Sequence, residues 1–367
     1  MSEVVLVAPT AFKGTLTALE AARAMVAAVR DVFPDAVIIS CPVSDGGDGF
    51  CEVLVEHLEG EYAAAVVTSA SGEPIEVTYG WLPTDIAVIE MAKVSGLAML
   101  GEGEPDPWHY TSRGVGELIS TVLDRDPRRI LIGAGGTATI DAGIGMMQAL
   151  GVGFFDESGA GVPPGAEGVG YVSRVDRTFR DRRLGLVELI VACDVQNPLI
   201  GPEGAVRVFG PQKGVTPEQC EVIAPGFDNF AEVLMRDTGR WIGETPMAGA
   251  AGGNSGALLA LTGAELVGGL DLVAEQIDLW GLISQATLVL VAEGSLDEQS
   301  LSGKAPVGLA RIAAAQGVPV AAIAGRITLS AEQLTSAGIQ AAVPLGHVGS
   351  ANVALTMATK TLLKTLA

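Results

Sequence analysis

The sequence lacks an excess of positive charge, and this absence argues against two large classes of partner. Its 367 residues include 22 Lys and Arg against 43 Asp and Glu, which gives a formal net charge of −21. A chain this acidic repels nucleic acid and anionic membrane surfaces. We therefore expect small-molecule partners and neither a nucleic-acid nor a membrane partner.

The sequence is also poor in the residues that build zinc sites, serine-hydrolase sites and disulfide frameworks. It has 3 His and 4 Cys. The histidines are not spaced as zinc ligands, the cysteines form no C-x-x-C pair, and the G-x-S-x-G motif is absent. We interpret the cysteines as free thiols in a reducing compartment.

Secretory and membrane-spanning signals are missing as well. The N-terminus, Met1-Ser2-Glu3, does not have the basic start of a signal peptide. The long uncharged stretches 245–264 and 333–359 are interrupted by glycine and proline, so neither predicts a membrane span. These observations favour a cytoplasmic location.

What the sequence does contain is an alternation of apolar strands and amphipathic helices at both ends. Strands are predicted at 4–8, 37–43, 287–292, 318–324 and 341–345, and helices at 15–33, 50–58, 305–316, 331–337 and 352–366. Thr17 and Glu20 are spaced as a capping box for the first helix, with Thr15 as an alternative N-cap. The alternation predicts a parallel sheet with right-handed crossovers.

The predicted fold class is therefore α/β, in two domains. A chain of 367 residues is too long for one ordinary core. Residues 1–64 and 285–367 are expected to form one discontinuous parallel-sheet domain, and residues 65–284 an inserted second α/β domain. A cleft between two such domains is the expected place for a ligand.

Glycine-rich polar segments follow several of the predicted strands. In open parallel sheets the ligand lies beyond the carboxyl ends of the strands. The segments are 8–14 with Lys13, 44–49 with Asp45, 133–141, 193–199 with Asp194, 209–214 with Lys213, and 293–306 with Asp297 and Lys304. Together they offer cations for anionic groups, carboxylates for Mg²⁺ or a proton, and backbone amides for phosphates.

These segments favour phosphoryl transfer, because that reaction needs positioning, Mg²⁺ and positive charge more than a strong nucleophile. The segment 133–138 also satisfies a permissive G-x-G-x-x-A dinucleotide pattern, which by itself is a weak signal. The Gly303-Lys304 pair is not a P-loop, because Ala305 replaces the required Ser or Thr.

Taken together, the segments resemble the bacterial type-1 glycerate kinase family. The resemblance extends over nearly the whole chain, through the segments APTAFKG at 8–14, SDGGDG at 44–49, GVGELI at 114–119, GGTAT at 135–139, ACDVQNPL at 192–199, FGPQKG at 209–214, AGAAGG at 248–253, EG at 293–294 with Asp297, and LSGKAP at 301–306. It implies transfer of the γ-phosphoryl group of ATP to D-glycerate, usually at the 2-hydroxyl, with Mg²⁺. It also implies a flavodoxin-like domain built from both chain ends and interrupted by a second α/β domain.

The chain departs from the family pattern at several positions. Thr10-Ala11 stands where the family usually has Asp-Ser, and Asp48 where it has Glu. Ile140 stands where it has Asn, Ala292 where it has Gly, and Ser295 where it has Arg. Asp45, Asp194, Lys213, Asp297 and Lys304 fit the pattern.

The resemblance leads to a set of residue roles, stated here as a hypothesis. Lys13 and Arg326 would bind the glycerate carboxylate, and Asp45 or Asp194 would orient or deprotonate the hydroxyl. Asp297 and Asp194 would hold Mg²⁺. Phosphates would contact a third set of residues: Gly135, Gly136, Thr137, Lys213, Gly252, Gly253 and Lys304.

Three other functions remain open at this stage. The first is a kinase for another small hydroxy acid, such as tartronate or a sugar acid. The second is a nicotinamide-dependent oxidoreductase, which rests on 133–138. The third is an inactive ligand sensor, suggested by the departures at Thr10, Ile140 and Ser295. The sequence does not decide between 2- and 3-phosphate products, and a homodimer is possible.

Overall fold

The structure is a computed structural model that describes residues 3–100, 105–298, 300–302, 305–346 and 349–366. Its strands are β1 (Val4–Pro9), β2 (Val37–Ser40), β3 (Glu61–Thr68), β4 (Pro74–Leu82), β5 (Ile86–Glu90), β6 (Arg129–Gly133), β7 (Gly153–Phe155), β8 (Arg174–Asp176), β9 (Glu188–Cys193), β10 (Glu265–Gly268), β11 (Leu288–Leu296), β12 (Val320–Ile327) and β13 (Ile339–Pro344).

The helices alternate with these strands over most of the chain. They are α1 (Ala18–Val32), α2 (Phe50–His57), α3 (Ala92–Ser95), α4 (Arg113–Leu123), α5 (Ile144–Ala149), α6 (Ala166–Val169), α7 (Ala205–Phe209), α8 (Pro217–Thr238), α9 (Asn254–Thr262), α10 (Gly269–Gln276), α11 (Leu279–Gln285), α12 (Ala305–Ala315), α13 (Ala331–Ser336) and α14 (Ala351–Leu366). In the part of the chain that the structure describes, none of them combines the length and the apolar character that crossing a membrane requires.

The chain divides into two compact units. The first, the terminal unit, is Met1–His57 with Leu270–Ala367, and the second, the inserted unit, is Leu58–Gly269. The sequence analysis placed the boundaries later, at 64/65 and 284/285. The physical reason for the difference is local packing: β3 pairs with β4, while Leu270, Leu279 and Ile283 of α10 and α11 are buried in the core of the terminal unit.

The terminal unit is built on a five-stranded parallel sheet with the order β13-β12-β11-β1-β2. The chain passes from β1 to β2 on one side and then returns to β11 on the other side of β1. This is the flavodoxin-like strand order. The direction in which successive strands are added to the sheet reverses between β1 and β11. The predicted flavodoxin-like parallel-sheet domain is therefore confirmed.

Both faces of this sheet are covered, as the apolar runs of its strands require. Successive residues of β1 enter opposite cores: Val5 and Val7 join α1 and α14, whereas Leu6 and Ala8 join α11 and α12. Helix α1 begins at Ala18 rather than at 15, with the predicted capping box in place. The Thr17 hydroxyl accepts from the Glu20 amide at 3.1 Å, and the Thr17 amide donates to the Glu20 carboxylate at 2.9 Å.

The inserted unit contains a six-stranded mixed sheet with the order β10-β9-β6-β5-β4-β3. Strands β5, β6, β9 and β10 are parallel, and β3 and β4 form an antiparallel edge. The parallel strands therefore end at one edge of the sheet, where Glu90, Gly133 and Cys193 are the last residues of β5, β6 and β9. The predicted second α/β domain is thus present.

Candidate active site

The glycine-rich loop after β6 is anchored by its own backbone. The Ala134 amide donates to the Ala192 carbonyl at 3.0 Å, and the Ala138 amide donates to the Ser95 carbonyl at 2.7 Å. Gly136 is exposed and adopts φ 72°, a left-handed conformation that favours glycine. The loop is thus held at both ends and presents Gly136 to solvent at the carboxyl edge of the sheet.

Lys213 lies beneath this loop, in the turn that follows α7. Its side chain is 2% exposed. The ammonium donates to the Thr137 hydroxyl at 3.1 Å and to the Thr139 carbonyl at 2.7 Å. Burial lowers the pKa of Lys213 to about 7, and the negative charges of Asp141 and Asp194 oppose this shift. A lysine of this kind places a titratable positive charge directly under the glycine loop.

Asp141 closes the same loop from inside and is fully buried. Its carboxylate accepts from the amide and the hydroxyl of Ser112, both at 2.8 Å, and from the amides of Gly143 at 3.1 Å and Gly145 at 3.3 Å. Burial raises the pKa of Asp141, while these hydrogen bonds favour the ionised form. Asp141 therefore fixes the loop against the start of α4.

Asp194 follows β9 and is exposed. Its charge raises the pKa of both Lys213 and Cys193, so it lies within electrostatic reach of these two residues. The Cys193 thiol is buried 3.6 Å from the Ser255 hydroxyl, and burial raises its pKa to about 12. Cys193 is therefore an unreactive thiol at neutral pH, in agreement with its interpretation as a free buried cysteine.

A second glycine loop, 249–253, packs against the first. Gly252 and Gly253 have φ of 67° and 94°. A Cβ on Gly252 would lie 2.1 Å from the Thr139 carbonyl oxygen, and one on Gly253 would lie 2.8 Å from the Ala142 Cα. Both glycines are buried, so their first requirement is close backbone packing. Their predicted contact with phosphates stays a prediction.

Asn254 begins α9 at this junction and is fully buried. Its amide nitrogen donates to the Ala251 carbonyl at 2.7 Å and lies 3.4 Å from the Thr139 hydroxyl. Its side-chain oxygen is buried without a hydrogen-bond partner among the described residues. Asn254 thus joins the two glycine loops and leaves one acceptor for a donor from outside the chain.

In the terminal unit, the predicted site residues follow neighbouring strands. Lys13 follows β1 and is exposed, and Asp45 follows β2 and is half-buried. Arg326 lies near the end of β12, next to Ser295 of β11 in the strand register, and is also exposed. Thr10, where the family usually has Asp, donates from its amide and hydroxyl to the Ala292 carbonyl at 2.8 and 3.1 Å.

The end of β11 carries a small carboxylate and hydroxyl network. Asp297 accepts from the Ser295 hydroxyl at 2.9 Å and from the Ser300 amide at 3.3 Å. The Ser300 hydroxyl lies 3.2 Å from the carboxylate of Glu293, which is 8% exposed. Ser295, which replaces the usual Arg, therefore supports Asp297 directly. Lys304 lies outside the described residues.

The oxygen groups around Asp297 are of the kind that magnesium ions prefer. Within the described ranges, no group of three or more His, Cys, Asp or Glu side chains is placed to hold a metal. Mg²⁺, however, is typically held by one or two carboxylates together with waters and substrate phosphates. The Asp297 carboxylate, with the Glu293 carboxylate on the other side of the Ser300 hydroxyl, is within that number.

The structure thus arranges the predicted residues in two groups. Thr137, Lys213 and Asp194, with the glycines 135, 136, 252 and 253, lie around the carboxyl edge of the inserted sheet. Lys13, Asp45, Asp297 and Arg326 lie at the carboxyl edge of the terminal sheet. Sequence reasoning did not select Ser112, Asp141 or Asn254 as site residues. Asp141 ends the glycine segment and could have been noticed there, but no sequence signal connects it to Ser112.

Comparison with known proteins identifies one family. The model of the glycerate kinase family matches residues 5–367. The glycerate kinase of Bacillus subtilis (strain 168) is 41% identical over 338 residues, which cover 92% of this chain and 88% of the relative. The glycerate 2-kinase of Escherichia coli (strain K12) is 40% identical over 326 residues, 88% of this chain and 85% of the relative. A crystal structure assigned as glycerate kinase 2 from Salmonella typhimurium LT2 superposes with a TM-score of 0.84 at 37% identity, covering 100% of this chain and 96% of that one.

Proposed function

The chain belongs to the glycerate kinase family, whose members are phosphotransferases, and from that premise we propose that it transfers the γ-phosphoryl group of ATP to the 2-hydroxyl of D-glycerate. The products would be ADP and 2-phosphoglycerate. The choice of the 2-hydroxyl rests on the relative from Escherichia coli, which is named a glycerate 2-kinase.

The observation that carries this proposal is the buried ammonium of Lys213 beneath the glycine loop of β6. Its two hydrogen bonds, to Thr137 and Thr139, fix the charge at the edge where a parallel sheet binds ligands. Phosphoryl transfer develops negative charge on the transferred group and on the leaving oxygen. A preorganised cation in a dry environment stabilises that charge more than one in water would.

The remaining roles follow from the charge of each side chain. Lys13 and Arg326, both exposed cations, are proposed to bind the carboxylate of glycerate. Asp45 or Asp194 would accept the proton of the attacking hydroxyl as its oxygen bonds to the γ-phosphorus and the bond to the β,γ-bridging oxygen breaks. Asp297 would hold Mg²⁺, which when bound neutralises phosphate charge.

The test is turnover by the purified full-length chain with ATP, Mg²⁺ and D-glycerate, followed by ADP release, with the product identified by ³¹P and ¹H NMR. We expect ADP formation that depends on D-glycerate and a phosphate on carbon 2. A phosphate on carbon 3 would refute the proposed position. Faster turnover of tartronate or another hydroxy acid would refute the proposed acceptor.

Two controls keep a negative result informative. Circular dichroism and thermal unfolding establish that the chain is folded. A parallel titration with NADH tests the dinucleotide alternative that the segment 133–138 left open. NADH binding without ATP turnover would contradict the proposal and would favour a nicotinamide-dependent oxidoreductase.

A further inference from the structure

A second positively charged site lies in the inserted unit, away from the carboxyl edge of its sheet. A cavity of about 400 Å³ is lined by Arg177, Arg180 and Arg240 and by residues 260–263 at the end of α9. We call it the arginine cavity. Three arginines line it and no carboxylate does, in a chain that carries 22 basic against 43 acidic residues. Such a local concentration of positive charge attracts anions.

The surrounding carboxylates are already paired with other arginines. Arg174 bonds Asp176 at 3.2 Å, and Arg183 bonds Asp181 at 2.7 Å. Arg236 likewise bonds Asp237 at 2.7 Å. These acidic groups are therefore largely engaged elsewhere, although Asp181 still feels the charge of Arg180.

Structural roles account for two of the three arginines but not for the third. Arg180 donates to the Leu261 carbonyl at 2.9 Å, and Arg240 donates to the Leu259 carbonyl at 3.3 Å. Both therefore cap the negative end of α9, where cations are favourable. The Arg177 side chain makes no hydrogen bond or ion pair with the described part of the chain. Its planar fork of donors is available to a ligand.

The arginine cavity is distinct from the candidate active site. It lies at the C-terminal end of α9, whereas Asn254 and the glycine loops lie at the N-terminal end. A helix of this length separates the two ends by about 13 Å. The lining residues 260–263 come directly before β10 in the chain. The cavity therefore lies at the amino edge of the parallel strands rather than at their carboxyl edge.

We propose that the arginine cavity binds a small phosphorylated anion. Guanidinium groups match the geometry of phosphate oxygens through paired N–H···O bonds, and phosphate carries enough charge to engage several of them. The volume is in the range of small-molecule pockets and leaves room for an organic group beside the phosphate. Arg180 and Arg240, held by α9, supply a fixed frame, and Arg177 closes on the ligand.

The test is binding to the full-length chain, measured by isothermal titration calorimetry at physiological salt. The probes are inorganic phosphate, glucose 6-phosphate and citrate. In parallel, the arginine Nε–Hε signals are followed by NMR on ¹⁵N-arginine-labelled protein. We expect saturable binding of at least one phosphate probe, together with shifts of the Arg177 and Arg240 signals.

Variants decide where the probe binds. Arg177→Ala and Arg240→Ala should each weaken binding by about ten-fold or more, because each removes a charge-assisted pair of hydrogen bonds. Arg182→Ala is the matched control: it removes the same charge from the same exposed segment, but Arg182 does not line the cavity. Because the Arg177 side chain has no partner among the described residues, Arg177→Ala should keep the unfolding temperature of the parent.

Each outcome has a defined meaning. A tighter glucose 6-phosphate complex assigns an organic phosphate as the ligand, and equal affinity with inorganic phosphate assigns the phosphate group alone. Citrate binding as strongly as either phosphate overturns the phosphate assignment. Equal weakening by Arg182→Ala, unchanged affinity in Arg177→Ala and Arg240→Ala, or the absence of saturable binding overturns the site.

Discussion

The carboxyl edges of the two parallel sheets carry the same kinds of residue in opposite environments. In the inserted unit, Lys213 is 2% exposed and Asp141 is fully buried, and both are held by hydrogen bonds to the loops around them. In the terminal unit, Lys13 and Arg326 are exposed and Asp45 is half-buried. The lysine of the inserted edge is therefore part of a folded core, whereas the lysine of the terminal edge is exposed to solvent.

This difference separates two kinds of expected effect. Removing a buried, hydrogen-bonded charge disturbs both the loop it supports and the chemistry, because its partners lose their hydrogen bonds in a low-dielectric environment. Removing an exposed charge should affect ligand binding or catalysis while leaving stability nearly unchanged. The predictions below test this separation, starting with the largest effect.

The largest effect is expected from carboxylates that are proposed to act on the reacting groups. Asp194→Asn and Asp297→Asn, one from each unit, should each lower kcat by about 10²–10³-fold, because each removes a negative charge that orients the hydroxyl or holds Mg²⁺. Steady-state kinetics with ATP and D-glycerate measure this. Since Asp194 is exposed and Asp297 only partly buried, the variants should unfold near the parent temperature. Near-normal turnover in both folded variants would contradict the assignment.

Two lysine substitutions compare the edges directly. Lys213→Met should lower kcat by about 10²-fold or more, because it removes the preorganised charge under the glycine loop. Lys13→Met should instead raise the KM for glycerate by about ten- to a hundred-fold, because it removes one charge-assisted contact with the carboxylate. The same kinetic measurements on both variants test this. If the two variants changed KM and kcat by the same factors, the two lysines would not differ in role, and the proposed difference between the two edges would be wrong.

A stability effect is expected where the two glycine loops meet. Gly252→Ala would place a Cβ 2.1 Å from the Thr139 carbonyl oxygen at a φ of 67°, so we expect a loss of about 1–3 kcal/mol or more in the free energy of unfolding. Urea denaturation measures it. Gly72→Ala is the control, because its φ is 93° with nothing within 4 Å of the added Cβ, so it reports the backbone strain alone. Equal losses in the two variants would show that the loop contact contributes nothing.

The last effect concerns the pH dependence that Lys213 gives to folding. Its pKa is about 7 in the folded chain and near 10.5 when unperturbed. Between these values the unfolded chain binds a proton that the folded chain does not, so the Lys213 contribution makes unfolding less favourable as pH rises from about 7 towards 10. Below pH 7 both states are protonated and this slope disappears.

Denaturation of the parent and of Lys213→Met at several pH values between 6 and 10 isolates this contribution. The difference in unfolding free energy between the two should change with pH in that window, by at most a ten-fold change in the unfolding constant per pH unit. A pH-independent difference for Lys213→Met would mean that the buried lysine keeps an ordinary pKa.

Much of this protein is determined by its sequence. The alternating pattern at the two chain ends predicted a parallel sheet, and the structure has it in flavodoxin-like order. The capping box of Thr17 and Glu20 is also present as predicted. The glycine and aspartate segments identified the family through residues close together in sequence. Helix periodicity, caps and short motifs are readable in this way because the interactions behind them span only a few residues.

The tertiary structure alone decided how the candidate site is supported. Ser112 and Asp141 are 29 residues apart, and Lys213 and Thr139 are 74 apart, yet each pair is joined by a hydrogen bond. The requirement for glycine at 252 comes from the Thr139 carbonyl, which is still more distant in sequence. The burial that lowers the pKa of Lys213 likewise depends on which segments the chain path brings over it. Composition and spacing do not encode such contacts. The contacts form only after the strands have paired into a sheet, because strand pairing brings distant segments together.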